Sequence, residues 1–448
     1  MNSESESASH SDPALSDKAP IADGAHPRKP SPGAKPPASD IDYPPRSGIR
    51  YTFSSLGNRD YLFLWLGMMS LMAGIQMQMI ARGYLVYEIT SRPFLLGVVN
   101  AGSAIPILTL SLFGGAIADR MDRKRIIQAG QLGSMSITLA ISIAIATGTV
   151  TWVHLLTSSM LQGALWSFIM PARQAIIPQI VGQENLTNGL ALNAAGMSAM
   201  TLLSPAVAGT LYATFGPQGV YYVITALGFL AIVFTTMIRY DGQGPAESSK
   251  DMIGDIKEGL SYISGNSMVL LLLLMGMATA LLAMPFRFLM PVFVVEIYSR
   301  GPEALGLLVS LMGLGSLAGA MAIASMGKWK RGLLLILGSF ASGIGLLMIA
   351  AFPYYLAAAG IMLLLGLGDA ARRTLNQTLI MEIVDDRYRG RVMSVFMMNF
   401  GLMPLGVLPA GYAIEHMGGQ ATVAILGAGV IVVAAAILLT QKKLREFE

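Results

Sequence analysis

Long apolar runs, separated by short polar breaks, fill the chain from about residue 55 onwards. A helix that crosses a bilayer needs about 20 mostly apolar residues. Six runs of this length precede a polar break at residues 239–266, and six more follow it. The predicted spans are 61–87, 94–118, 126–147, 151–172, 190–214, 219–238, 268–295, 304–326, 332–352, 354–375, 391–415 and 419–440. The pattern predicts an all-α membrane protein with twelve transmembrane helices.

The two sets of six runs resemble each other in sequence. Residues 95–125 parallel residues 304–331, and residues 204–216 parallel residues 405–418. An internal repeat of six spans is typical of transporters that place their substrate site between two bundles. We therefore expect two six-helix bundles related by pseudo-two-fold symmetry.

Basic residues fall mainly on one side of these spans. Of the 30 Lys and Arg residues, only Arg92 and Arg300 lie on the other side, and Arg82 and Arg287 lie within spans. Because Lys and Arg favour the cytosolic side of a membrane, the asymmetry predicts a multi-pass protein of the plasma (bacterial inner) membrane. Both termini are then expected in the cytosol.

The polar segments divide the chain further. The first 48 residues are rich in Ser, Pro, Ala and Asp, which is a disordered composition. We expect a disordered cytosolic tail at 1–48, an N-terminal six-helix bundle at 49–238, a cytosolic linker with a short amphipathic helix at 239–266, a C-terminal six-helix bundle at 267–440 and a cytosolic tail at 441–448.

Composition excludes several classes of function. Charged residues make up 12% of the chain, against about 25% in soluble domains. The chain has no cysteine and four scattered histidines, so neither a metal nor another cofactor is expected. It carries no GxxxxGK[ST] phosphate loop and no clustered catalytic side chains, so we expect neither an ATPase nor another enzyme. A nucleic-acid partner is not expected either.

Four short motifs resemble those of a known family. "GGAIADRMDRKR" at 114–125 is similar to the loop motif between spans 2 and 3 of the major facilitator superfamily, and "GKWKR" at 327–331 resembles a worn copy without the Asp. "RGRVMS" at 389–394 and "PLGVLPAG" at 404–411 resemble the secretion-effector branch, which includes enterobactin-exporter-like proteins. The resemblance covers about residues 55–440 and implies the same twelve-helix fold.

The resemblance also implies a cytosolic gate. In this family the motif's Asp meets the N-terminal end of span 11 when the cytosolic side is closed, which would place Asp119 near Gly390 and Arg391. A helix N-terminus carries partial positive charge and favours a carboxylate. The alternative is that the motif only anchors the topology. The gate residues would be Gly114, Gly115, Asp119, Arg120, Arg123, Lys124 and Arg125.

Span 5 carries a second, weaker motif. Gly196, Pro205 and Gly209 resemble a degraded form of the Gly-Pro motif of superfamily antiporters, with Ser204 where that motif has Gly before Pro. Antiport is one interpretation. The other is a kinked, closely packed helix.

Ionisable residues within spans are the main candidates for substrate binding or ion coupling. Arg82 in span 1 and Arg287 in span 7 occupy corresponding positions in the two halves, so they are expected either to face the cavity or to reach the outer headgroups. Asp369 is followed by Arg372 and Arg373 on the same helix face, which favours a local ion pair or a proton-coupling carboxylate. Asn193 and Asn399 form another corresponding pair of polar candidates.

The sequence therefore predicts a secondary active transporter. We expect a monomer in the lipid bilayer that exports a small amphiphilic molecule (a siderophore, a drug or a related metabolite) in exchange for protons, by alternating access. One alternative is a facilitator or importer of an anionic metabolite. Another is a non-transporting membrane sensor with the same fold.

Overall fold

A computed structural model describes residues 53–111, 121–239, 252–326, 330–385 and 387–445. All of the regular secondary structure in these ranges is helical. The helices are α1 (Arg59–Thr90), α2 (Pro93–Ala101), α3 (Arg123–Ala146), α4 (Trp152–Thr236), α5 (Met252–Gly265), α6 (Ser267–Val292), α7 (Pro302–Met326), α8 (Arg331–Ala351), α9 (Tyr355–Ile383), α10 (Arg389–Leu402), α11 (Val407–Met417), α12 (Gly419–Thr440) and α13 (Lys442–Arg445). A π turn at Phe293–Ile297 extends α6, and a 3-10 turn at Met403–Gly406 joins α10 to α11.

Polar residues at the breaks fix where several helices begin. The Asn58 side chain accepts the backbone N–H groups of Asp60 and Tyr61 at the start of α1, at 2.9 and 3.2 Å. Asp122 caps α3 and Asn266 caps α6 in the same way. Each cap satisfies N–H groups that have no partner within the helix and stabilises it by about 1 kcal/mol.

The 85-residue helix α4 contains two breaks. Gly182 and Gly216 have φ angles of 70° and 68°, in the left-handed region that favours glycine. The backbone dihedral angles stay helical elsewhere in α4, including at Pro205. The two breaks divide α4 into helical segments 152–181, 183–215 and 217–236.

Nine helical stretches among the described residues are long and apolar enough to cross a membrane. They are Arg59–Thr90, Pro93–Ser111, Arg123–Ala146, Asn185–Thr236, Ser267–Ile297, Pro302–Met326, Arg331–Ala351, Tyr355–Ile383 and Gly419–Thr440. The fourth of these contains the Gly216 break and covers two of the expected spans. The expected spans at 151–172 and 391–415 are not among the nine, and the second of these is interrupted by the 3-10 turn. The protein is a multi-pass helical membrane protein.

We use "first group" for α1–α4 and "second group" for α6–α12. In the first group α1 and α3 lie against α4, and in the second group α9 lies against α7 and α8, while α12 lies against α8 and α6. We use "distal end" for the end of the molecule at which α1 ends and α2 begins, and "proximal end" for the opposite one. The turns after α1 and after the π turn have matching geometry, because Ser91 and Ser299 are both left-handed, with φ angles of 49° and 50°.

The two groups share one apolar core at the distal end. This cluster joins Tyr87 and Tyr221 of the first group to Phe293 and Leu305 of the second. Towards the proximal end, the described residues form separate clusters, one around Ile127 within the first group and others that likewise stay within one group. Among the described residues, the two groups are therefore held together mainly at the distal end.

Glycines bring the two groups into backbone contact along α4 and α7. A Cβ atom on Gly306 would lie 3.1 Å from Gly209 Cα and would also collide with the Pro205 carbonyl oxygen. Nearby, the Ser310 hydroxyl accepts the backbone N–H of Ala206 at 3.0 Å. Only a helix surface without side chains allows such an approach. We call this contact the α4–α7 seam.

A second seam joins α2 to α11. A Cβ atom on Gly97 would lie 3.0 Å from the Val407 carbonyl oxygen, and one on Gly411 would lie 2.7 Å from the Pro93 carbonyl oxygen. The side chain of Glu415 bonds to Arg92 at 2.9 Å and caps the N–H of Phe94. This α2–α11 seam lies at the distal end, because α2 begins there.

Candidate functional site

A small charged cavity lies inside the second group, among α6, α7, α8 and α9. Its volume is about 20 Å³, which is room for about one water molecule. The lining residues are Ala283, Met284, Phe286, Arg287, Met312, Ser342, Leu346, Leu365, Asp369 and Arg372. We call it the charged cavity. Its walls combine apolar side chains with a few convergent polar groups, as ligand sites do.

Asp369 is the acid of this cavity, and two arginines hold it. Arg372 Nη2 lies 2.6 Å from Oδ1, and Arg373 Nη2 lies 2.5 Å from Oδ2. Both contacts follow from the i+3 and i+4 spacing on α9. Arg372 also donates from Nη1 to the Thr279 carbonyl of α6 at 2.9 Å. Asp369 and Arg372 are buried, whereas 44% of the Arg373 side chain is exposed.

Arg287 lies on the same cavity wall, and the structure gives it no partner. Its Nε atom is buried without a hydrogen bond, and it forms no ion pair with any described residue. Its charge is close enough to interact with Asp369 and Arg373 through space. Three guanidinium groups therefore surround one carboxylate, which leaves an excess of two positive charges.

Arg82 lies elsewhere. It lines neither the charged cavity nor the smaller cavity described below. Its guanidinium is close to Tyr221, and the Arg82 Nε and the Tyr221 hydroxyl are both buried without a hydrogen-bond partner. The structure thus places one of the two corresponding arginines on the charged cavity and packs the other beside a tyrosine.

The smaller cavity, of about 10 Å³, lies in the first group among α1, α3 and α4. None of the residues that line it is charged: Ser70, Leu71, Gly74, Ile75, Gln78, Ser134, Met135, Thr138, Ile224 and Gly228. Gln78 Nε2 is buried there without a partner. The two cavities therefore differ in charge, since one is lined by an amide and hydroxyls and the other by guanidinium groups and a carboxylate.

The remaining candidate residues within the spans are the asparagine pair and the residues of the second motif. Asn193 makes one weak contact, with its Nδ2 atom 3.8 Å from Met197 Sδ on the same helix. Gly196 lets α4 approach α1, because a Cβ atom there would collide with Met69. Pro205 and Gly209 lie in the α4–α7 seam. Asn399 belongs to α10, but its side chain lies outside the described part of the structure.

The gate motif is described only in part. Gly114, Gly115, Asp119 and Arg120 lie outside the described residues, and the contact of Asp119 with α10 stays a prediction. The three basic residues that follow them, Arg123, Lys124 and Arg125, are described. Arg123 donates to the Ala175 carbonyl at 3.3 Å, Lys124 donates to the Ile238 carbonyl at 2.5 Å, and Arg125 lies 3.5 Å from Asp122. Arg123 and Lys124 thus tie the start of α3 to α4 and to the residues that follow it.

Two acid–tyrosine hydrogen bonds at the distal end were not expected from the sequence. The Tyr87 hydroxyl donates to Glu296, which joins the two groups, and the Tyr212 hydroxyl donates to Glu88 at 2.5 Å. One signal points to them. Residues 87–92, "YEITSR", parallel residues 295–300, "VEIYSR", so that Glu88 and Glu296 correspond in the repeat.

Comparison with known proteins places the chain among membrane transporters. A family model described as transmembrane secretion effector matches residues 51–448. The chain is 26% identical over 357 residues to the staphyloferrin A transporter of Staphylococcus aureus. The aligned region covers 78% of this chain and 88% of that protein. It is 25% identical over 351 residues to macrolide efflux protein A of Streptococcus pyogenes, which covers 75% of this chain and 85% of the relative.

A solved structure agrees in fold. A mutant of the nucleoside transporter NupG superposes with a TM-score of 0.74 at 12% identity, covering 86% of this chain and 100% of that one. Likeness at this level of identity concerns the fold alone. The match of the family model is broader, because it takes in every helix from α1 to α13. The chain belongs to the transmembrane secretion effector family of the major facilitator superfamily.

Proposed function

We propose that the protein is a secondary active exporter of small amphiphilic molecules, driven by protons and working by alternating access. The observation that carries this proposal is the arrangement of the two helix groups. They share a core and two glycine seams at the distal end, have separate cores towards the proximal end, and hold a charged cavity between the helices of one group. Such a pair of bodies can rock about a site between them.

The twelve-span division is part of the proposal. The breaks at Gly182 and Gly216 turn α4 into three spans, and α10 with α11 makes one span across its 3-10 turn. Six spans then fall in 49–238 and six in 267–440, with α5 in the linker at 239–266. The matching left-handed serines, Ser91 and Ser299, support two bundles related by pseudo-two-fold symmetry.

The orientation follows from the basic residues. With nearly all Lys and Arg at the proximal end, that end faces the cytosol of a bacterium and the distal end faces outwards. Both termini are then cytosolic, and this conformation is closed on the outside. The proposed gate at Asp119 would close the opposite side in the other state.

The size of the charged cavity makes movement necessary. A volume of about 20 Å³ admits about one water molecule, whereas a drug-sized ligand needs a site of about 300–1,000 Å³. The substrate therefore binds only after the groups have moved apart at one end. The seams permit this, because they depend on van der Waals contact between glycines and a few polar contacts.

The substrate class is proposed from the relatives and from the cavity. The relatives are named as a staphyloferrin A transporter and a macrolide efflux protein. The apolar walls of the charged cavity, including Phe286 and Leu365, suit the apolar part of such molecules. Asp369 is the proposed proton-coupling residue, since it is the carboxylate on the cavity wall.

Transport in proteoliposomes tests the proposal. The purified protein is reconstituted into the vesicles, and a siderophore or a macrolide is supplied as substrate. Its accumulation across the vesicle membrane is followed with and without an imposed pH gradient. We expect accumulation above the equilibrium level only with the gradient, and collapse when a protonophore is added. Flux that only follows the substrate gradient would favour the second candidate, a facilitator of anionic metabolites. The observation that favours this second candidate is the buried Arg287 Nε, which has no hydrogen-bond partner among the described residues.

A further inference from the structure

We infer that Arg287 and Arg373 together bind an acidic group of the substrate, and that this group replaces Asp369 as the partner of Arg373. The inference rests on the proposed transport function, because it assigns a substrate class to the same cavity. The substrate is then an amphiphilic organic anion. We call Arg287, Asp369, Arg372 and Arg373 the anion subsite.

The charge balance of the anion subsite is the first argument. Its three guanidinium groups face one carboxylate, and no other acid among the described residues lines the charged cavity. Uncompensated charge far from bulk water is costly, and such residues inside a membrane pair with each other or serve a ligand. Asp369 neutralises one charge. A bound carboxylate would compensate the excess and provide a partner for the buried Arg287 Nε.

The two arginines that pair with Asp369 differ in burial and in the number of their partners. Arg372 is buried, and both terminal nitrogens of its guanidinium have a partner. Nη2 pairs with Asp369, and Nη1 donates to the Thr279 carbonyl. Arg373 pairs with Asp369, and almost half of its side chain is exposed. A substrate would therefore meet Arg373 first, while Arg372 holds Asp369 in place.

The depth of Arg373 shows what it is exposed to. It lies 18 residues beyond the distal start of α9, at Tyr355, which is about 27 Å along a helix with a rise of 1.5 Å per residue. Because the hydrocarbon core is about 30 Å thick, this depth places Arg373 near the proximal boundary of the membrane, where an exposed guanidinium can be hydrated. A substrate that enters from the proximal end would meet Arg373 there.

The surroundings define the rest of the ligand. Beside the anion subsite, Phe286, Met312 and Leu365 offer apolar contact, and the smaller cavity of the first group is uncharged. A carboxylate can form a bidentate pair with each arginine fork. The ligand that fits is an organic acid whose apolar body extends away from the carboxylate.

A matched pair of ligands tests the inference by direct binding. The purified protein is titrated calorimetrically with a naphthalene dicarboxylate and with its neutral diamide, which has the same shape. We expect the diacid to bind more tightly. Arg287→Gln and Arg373→Gln should each weaken diacid binding by about tenfold to a hundredfold, the usual effect of losing a hydrogen bond to a charged group. Binding of the diamide should stay unchanged in both variants.

The control is Arg59→Gln, which removes the same charge from an exposed arginine at the proximal start of α1. Arg287→Lys keeps the charge without the fork, so it should fold and bind the diacid with intermediate affinity.

Three outcomes would overturn the subsite: equal affinity for diacid and diamide, no binding of either, or an unchanged preference for the diacid in Arg287→Gln. Normal diacid preference without any pH-driven flux would instead overturn the proposed exporter and leave the subsite standing.

Discussion

The Tyr87 hydroxyl donates a hydrogen bond to the Glu296 carboxylate and so joins α1 to the π turn after α6. Tyr87 is buried in the shared distal core, whereas Glu296 is exposed at the surface. A buried hydroxyl thus reaches out to a surface acid that belongs to the other helix group. This hydrogen bond must break whenever the two groups separate at the distal end.

Removing that hydrogen bond should loosen the distal closure. Because Glu296 is exposed and water competes for it, we expect Tyr87→Phe to cost the closed state about 1 kcal/mol, or about fivefold in its population relative to the open state. The chain has no cysteine, so a single Ser310→Cys reporter in the α4–α7 seam reads out opening directly. Labelling of this cysteine by a membrane-impermeant maleimide should be about fivefold faster with Tyr87→Phe than without it. An unchanged labelling rate would mean that the bond is not part of the closure.

The α4–α7 seam should tolerate no added side chain. In Gly209→Ala the new Cβ would meet the Pro302 carbonyl oxygen and would lie 3.0 Å from Gly306 Cα. Such overpacking costs about 1–3 kcal/mol, and only the distally closed state incurs it. We expect normal insertion, faster Ser310→Cys labelling and slower transport.

Gly360→Ala is the matched control for this substitution, because no atom lies within 4 Å of its added Cβ. It should leave labelling and transport unchanged and should slightly raise the melting temperature, as Ala does in place of helical Gly. If both glycine variants behaved alike, the seam would be ordinary packing without a role in closure.

Much of the fold follows from local pattern. The apolar runs predicted membrane-crossing helices because a backbone in lipid must satisfy its hydrogen bonds within the helix. The ion pair of Asp369 with Arg372 and Arg373 follows in the same way, since i+3 and i+4 spacing fixes the neighbours on one helix. These features need no knowledge of how distant segments pack.

Features that depend on packing between helices were harder to predict. Arg82 and Arg287 occupy corresponding positions, yet only Arg287 lines the charged cavity, because the rotation of each helix is set by its neighbours. Pairing of Gly209 with Gly306 is likewise fixed by tertiary contact. The tyrosine–glutamate pairs were missed because a glutamate at the end of a span resembles an ordinary surface residue.

Asp119 should affect the rate of transport more than substrate affinity. The motif resemblance places it at the proximal gate, away from the charged cavity, so Asp119→Asn should shift a conformational equilibrium and leave the binding site intact. A helix N-terminus stabilises a nearby carboxylate by about 0.3–1 kcal/mol, which corresponds to a modest, up to fivefold, change in turnover. Initial-rate transport measurements at equal expression check this. Unchanged turnover would reduce the motif to a topology anchor.

Asp369→Asn should both destabilise the protein and abolish proton-driven accumulation. The substitution leaves the buried Arg372 without its carboxylate, and breaking a buried ion pair costs about 3–5 kcal/mol. The melting temperature in detergent should therefore fall. The triple variant Asp369→Asn, Arg372→Gln, Arg373→Gln also removes the two guanidinium groups that were paired with Asp369, leaves only the Arg287 charge, and should recover most of the lost stability. If Asp369 carries the coupling proton, the recovered protein still cannot accumulate substrate against its gradient. Recovery of pH-driven accumulation in the triple variant would show that Asp369 serves only the ion pair, and that the proton moves through another residue.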